Sequence, residues 1–277
     1  MSEAFCCPPG TSCTHTVDGN PDAGVQCAVD CDRVCAAAAP TAPQGFRSCF
    51  WKSDQELSYL CGTCGVGRVA SGTEPCAAGT TIAERLARQA YYEAASVTAF
   101  ERLAGALERA GAPLTLVRRA HAAADDEARH ARLFGELAAK HGATPGAPAY
   151  RPEVPSLFEL AVENATEGCV RETFGAVVTL HQATHAESEE IRAAFAAIAE
   201  DEAEHAALSW ELKGWFDTRL NAEQRAHVNA AHDRAVHAAR LDAAAPPDAL
   251  DLALGLPTAV RAQQMLDTLL IAMATAA

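Results

Sequence analysis

Helical spacing of apolar residues begins abruptly at residue 81 and persists almost to the end of the 277-residue chain. "TIAE" (81–84) has the form of a capping box, in which a threonine accepts from first-turn amides and a glutamate reaches back. The helix it opens runs to about Ala110 and closes at "GAP" (111–113), where Pro113 suits the start of the next, which runs to about Lys140. "SLFE" (156–159) and "THAE" (184–187) are further capping boxes and predict a third helix and a fourth, the latter ending near Trp215. A fifth helix fits 221–243, "APPDALDLALGLP" reads as a loop or short turn, and a last helix covers about 258–274.

Helix, short turn, helix thus occurs twice within residues 81–216, separated by "GATPGAPAYRPEVP" (142–155), which the prolines keep out of helix. Its 14 residues can span roughly 46 Å when extended. A helix of about 30 residues is about 45 Å long. The match predicts a connector running from one end of the bundle to the other, rather than the short loop of an up-down-up-down bundle.

Charge interrupts each apolar stripe. In the first helix Glu93 breaks the run Leu86, Ala90, Val97, Phe100; in the second, Glu127 shares a face with Val117, Ala120, Ala124 and Phe134. In the third, Glu167 falls among Leu160, Asn164, Val170 and Phe174; in the fourth, Glu202 and His205 share a face with Ile191, Phe195, Ile198 and Leu212. Glu127–His130 and Glu202–His205 have one spacing, Glu-x-x-His, of which about 0.8 copies are expected by chance from this composition. Frequency decides little; placement on core faces, where an unpaired charge is costly, decides more. Measured from the turns, Glu93, Glu127, Glu167 and Glu202 reach about the same depth. The six residues Glu93, Glu127, His130, Glu167, Glu202 and His205 are therefore the candidate metal ligands. Four carboxylates and two neutral imidazoles balance two divalent cations, whereas without metal the carboxylates repel.

One glutamate from each of two helices, with Glu-x-x-His from each of the other two, resembles the ferritin-like superfamily, nearest to its rubrerythrin-like branch, over residues 81–216. The resemblance implies an all-α, ferritin-like four-helix bundle with a long crossover and extra C-terminal helices (about 221–277). It implies two iron ions, or manganese, as cofactor. Rubrerythrins carry a further glutamate three positions on, where this chain has Val170, which argues against a moving ligand and a peroxidase cycle. Glu163 and Glu172 are alternatives to Glu167 on the third helix. Asp126, Asp201 and Glu204 flank the motifs off-face and read as solvated. His181 and His185 lie about 20 Å along the axis, and with His227, His232 and His237 they suggest no site. Tyr91 and Tyr92 read as packing, Cys169 as a small buried residue.

Residues 1–79 differ in kind. Ten of the 11 cysteines lie between Cys6 and Cys76 amid Gly and Pro, which reads as a small Cys-rich, disulfide-stapled module in front of a helical domain spanning 80–277. Cys169 is then the one expected free thiol. "YLCGTCG" (59–65) resembles a single rubredoxin knuckle, without the second that a four-thiolate site needs. Disulfides imply an extracytoplasmic location, periplasmic or secreted; metal-binding thiols would imply the cytoplasm. "MSEAFCCPPG" lacks the basic-then-apolar form of a signal peptide.

The net charge of −14 argues against nucleic acid, and no apolar run approaches the length of a membrane span. The expected function is a di-metal oxidoreductase acting on dioxygen or peroxide, its organic substrate unknown, in a chain that could form a homodimer. A ferroxidase or metal-handling protein, and a metal-stabilised interaction protein without catalysis, are the alternatives.

Overall fold

The computed structural model describes residues 79–149 and 154–276, Arg68, Val69, Thr73 and Cys76, and the backbone of four short strands before them. Contacts divide the chain into Met1–Thr63 and Cys64–Ala277. In the first unit β1 (Thr11–Cys13) pairs antiparallel with β2 (Cys27–Val29), and β3 (Arg47–Ser53) with β4 (Glu56–Cys61). Arg47 stands opposite Cys61, with an irregularity between Trp51 and Ser53. The side chains of residues 1–67 lie outside the described residues, and so does the disulfide framework expected of them. Cys76 and the buried Cys169 are both free thiols. This corrects the expectation that Cys169 alone would be free.

The second unit is helical: α1 (Ile82–Arg109), α2 (Leu114–Lys140), α3 (Leu157–Glu163), a π-helical segment (Asn164–Glu172), α4 (Thr173–His185), α5 (Glu189–Asp217), α6 (Ala222–Ala244), α7 (Ala249–Ala253) and α8 (Ala259–Ala276). Local chemistry sets the ends. Thr81 Oγ1 accepts from the Glu84 amide at 3.2 Å, while the Glu84 carboxylate reaches the backbone N–H and hydroxyl of Thr80 at 2.6 and 2.8 Å. Ser156 and Glu159 form the reciprocal box expected of them; Asn221 with Gln224 and Asp248 with Asp251 form two more that were not anticipated. The box expected at Thr184 does not form. That hydroxyl donates to the His181 carbonyl at 2.9 Å within the last turn of α4, and α5 starts only after Ser188.

α1 packs on α2, α4 on α5, and α2 crosses α5. Leu86 and Ala90 of α1 meet Phe134 and Leu137 of α2 and Ile191, Phe195 and Ile198 of α5 in one fully buried cluster. α6 lies on the π-helical segment, with Ala235, Ala239 and Ala243 against Val170; α8 adds Ala262 and Leu266. The described start of the connector turns back along the α1–α2 hairpin, placing Pro145 against Gly135 and Gly146 against Tyr91. The stretch read as a loop or short turn at 245–257 contains α7, and Gly255 (φ +78°) follows it with its Cα facing Ala186 so closely that a Cβ would stand 2.5 Å from the Ala186 nitrogen. No described helix is long and apolar enough to cross a membrane.

Candidate metal centre

α1, α2 and α5 carry Glu93, Glu127, His130 and Glu202 to one place, each with a possible ligand atom within 4.8 Å of the others. Glu93, Glu127 and Glu202 are fully buried, His130 and His205 nearly so. His130 Nδ1 lies 3.3 Å from Glu202 Oε1, 3.6 Å from Glu127 Oε2 and 3.8 Å from Glu93 Oε2. His205 joins through Glu127, its Nδ1 3.4 Å from Glu127 Oε1, and the two imidazole centroids are 6.0 Å apart. Glu127 is thereby shared between a His130 side and a His205 side.

The chemistry of this set is that of a ligand shell. Glu93 Oε2, both oxygens of Glu127 and of Glu202, and the Nδ1 atoms of His130 and His205 are buried with no hydrogen-bond partner. Orphaned buried acceptors are costly, and here Glu93, Glu127, His130 and Glu202 bring theirs to one place. Protons bind where a cation is lacking. Burial and the neighbouring Glu127 push Glu93 up to about 8. Burial also raises Glu202. Burial opposes charge on His205, but Glu127, Glu202 and Glu172 outweigh it and bring the imidazole up to about 9. Burial likewise opposes charge on His130, and the carboxylates of Glu127, Glu202 and Glu93 overcome it.

The outer edges of the imidazoles are held by aspartates read from sequence as solvated. Asp201 Oδ2 is 3.0 Å from His130 Nε2, and Asp126 Oδ2 is 3.4 Å from His205 Nε2. Each helix thus supplies the acceptor for the other helix's histidine, an arrangement that selects the Nε2–H tautomer and leaves Nδ1 free to ligate. Arg129 donates to both aspartates. The signal was present in the sequence as Asp-Glu-x-x-His, repeated at 126–130 and 201–205.

On the third helix, Glu167 and its alternatives Glu163 and Glu172 have different surroundings. Glu167 is not brought to this group: its Oε2 accepts from Arg171 Nη1 at 2.8 Å, and Glu163 pairs with Arg102. Glu172, fully buried, faces His205 and Glu202 electrostatically and accepts from Ser209 Oγ at 2.9 Å. Burial raises its pKa. The cause is the π-helical segment, whose wider turns break the 3.6-residue register by which Glu167 was placed on the stripe of Leu160 and Asn164. Nothing in the apolar pattern marked those turns.

Tyr91 and Tyr92 pack edge to face at 5.4 Å against Val69, as ordinary core. His181 and His185 stack on each other at 3.7 Å on α4. Burial pushes the Cys169 thiol up to about 12, as befits an inert buried side chain. No protein-family model, curated protein or solved structure matches the chain. Its geometry is that of an all-helical unit with a buried Glu/His cluster able to hold a metal ion, compatible with a ferritin-like bundle.

Proposed function

We propose that residues 81–216 form a ferritin-like bundle around a carboxylate-bridged di-metal centre that reacts with dioxygen or peroxide. One observation carries this reading: Glu93, Glu127, His130 and Glu202 bring buried ligand atoms within 4.8 Å of one another, and Glu93 Oε2, both oxygens of Glu127 and Glu202 and His130 Nδ1 have no hydrogen-bond partner. A ligand shell leaves such buried acceptors for the ion.

The ligands are Glu93, Glu127, His130, Glu202 and His205, with Glu172 in the role first expected of Glu167. Four carboxylates and two neutral imidazoles neutralise two divalent ions and favour iron or manganese over thiolate-seeking metals. Bound as a pair, such ions supply the two electrons that reduction of dioxygen or peroxide requires. The chain's part is to deprotonate and position. Glu127, whose oxygens lie near both His130 and His205, and Glu202, beside His130, would hold the ions, and Glu93 closes the His130 side while its Oε1 is held by Gln89 at 2.6 Å. Asp201 and Asp126 hold the Nε2 protons, which would leave each Nδ1 free for a metal. Phe100, fully buried and 5.1 Å from the His205 ring, shuts water from that side.

The test is an anaerobic titration with Fe²⁺ followed by air, with metal analysis and absorption spectra. Two ions per chain, fast oxidation on exposure to air, and loss of both properties in His130→Ala and His205→Ala are expected. Full metal content and reactivity in both variants would overturn the reading. Iron that is oxidised and retained in many copies per assembly would assign the centre to iron handling instead.

A further inference from the structure

The segment before α1 sends one side chain deep into the helical unit. Arg68 is fully buried, and its Nη2 donates to Asn164 Oδ1 at 2.7 Å and to Ser209 Oγ at 3.2 Å. Its Nε stands 3.8 Å from Glu172 Oε1, and its guanidinium lies 5.3 Å from the Phe100 ring that touches His205. Space for it exists because residue 168 is glycine: a Cβ there would stand 2.4 Å from Arg68 Nη2. Nε and Nη1 have no hydrogen-bond partner, and neither does Glu172 Oε1. A buried cation so poorly satisfied is costly unless negative charge compensates it.

The two halves of the centre therefore differ. On the Glu93 side the donor atoms of Glu93, Glu127, His130 and Glu202 converge within 4.8 Å of one another, a group that does not include Glu172 or His205. Glu172, the counterpart of Glu93, is turned to Ser209 and Arg68. Four carboxylates beside one guanidinium carry three net negative charges. One divalent ion leaves a single negative charge; a second ion leaves a net positive charge in a low-dielectric core.

Resting on the metal-centre reading above, we propose that Arg68 is the resident cation of the Glu172–His205 half, which makes that half take its ion more weakly than the Glu93–His130 half. Arg68 is a positioning residue in this role: it holds Glu172 and competes by charge without touching the first ion. Loading would then be ordered, the Glu93 side first. The segment that carries Arg68 would thereby set the ratio of singly to doubly loaded protein.

The experiment is an anaerobic titration of the full chain with Mn²⁺, followed by calorimetry and by the electron paramagnetic resonance of coupled pairs. The native chain is expected to take one ion tightly and a second at least about tenfold more weakly. Arg68→Met, of similar volume without charge, should tighten the second ion by at least about tenfold and leave the first within about threefold. Arg68→Lys, which keeps the charge, should preserve the native asymmetry. Two equal ions in the native chain, or a second ion unmoved by Arg68→Met, would overturn the inference while leaving the centre intact; a native chain that binds no ion would sink the metal reading itself. Circular dichroism and thermal melts accompany each variant. If Arg68→Met does not fold, Arg68→Gln decides, because it removes the charge and keeps an amide donor for Asn164. An approximately threefold gain in second-ion affinity supports the inference, and no gain overturns it.

Discussion

The aspartates behind the imidazoles make a residue-scale prediction that no other part of the centre shares. Asp201 and Asp126 touch no ligand atom of the group, yet each accepts from the histidine of the opposite helix at 3.0 and 3.4 Å. Asp201→Ala and Asp126→Ala should each lower metal affinity about 10- to 100-fold with the fold intact, as loss of such partners commonly does. A chelator-competition titration measures it. A second prediction separates the glutamates of the third helix. Glu172→Ala should lose the weaker ion, whereas Glu167→Ala should keep metal stoichiometry and instead leave Arg171 without its 2.8 Å partner. Elemental analysis of the two variants, side by side, checks it. Glu93, Glu127 and Glu202 were legible as polar breaks in apolar stripes, because burying an unpaired carboxylate is costly enough to imply a partner. Glu172 was legible only as an alternative to Glu167, since its inward turn comes from backbone geometry.

At the scale of elements, the turn between α4 and α5 is held by a short helix that apolar periodicity did not resolve. Glu187 N donates to the Ala253 carbonyl at 3.0 Å and Gln182 Nε2 to that of Leu254 at 3.0 Å, so α7 closes the end of the α4–α5 hairpin. Gly255 completes the contact at φ +78°. Gly255→Ala is expected to cost about 1–3 kcal/mol, from a left-handed φ and a Cβ without space. Urea unfolding followed by circular dichroism reads the loss. The change should leave the first metal ion in place, because α1 and α2 carry three of its four candidate ligands. The long helices were legible because their caps and stripes are local: Ser156 with Glu159 is readable from four letters. The missing box at Thr184 shows the limit, since a hydroxyl in the last turn has a carbonyl within reach and needs no helix start.

For the whole molecule, the buried charge of the centre ties stability to pH. Glu93 and His205 bind protons more tightly folded than unfolded, with pKa values raised from 4.5 to about 8 and from 6.5 to about 9. Their contribution is complete below the unfolded values and is lost as pH rises through the folded ones. The metal-free protein should therefore melt at lower temperature at pH 9 than at pH 6. Mn²⁺ should remove most of that difference, since the ion takes over from the protons and stabilises the folded state by mass action. Thermal melts at both pH values, with and without metal, test this; an apo-protein whose melting temperature rises from pH 6 to pH 9 would contradict the buried, proton-holding centre.

Helix identity, helix pairing and the buried group of Glu93, Glu127, His130 and Glu202 follow from the sequence, because capping, turn chemistry and 3.6-residue periodicity are local and burial of charge is costly wherever it occurs. The tertiary structure alone decided the rest. A π-helical segment turns Glu172 inward and leaves Glu167 to Arg171, two aspartates reach across to the opposite helix's histidine, and Arg68 enters the core from outside the helices through the gap at Gly168. Each of these depends on where a backbone widens or where distant segments meet, and no periodicity along the chain encodes that.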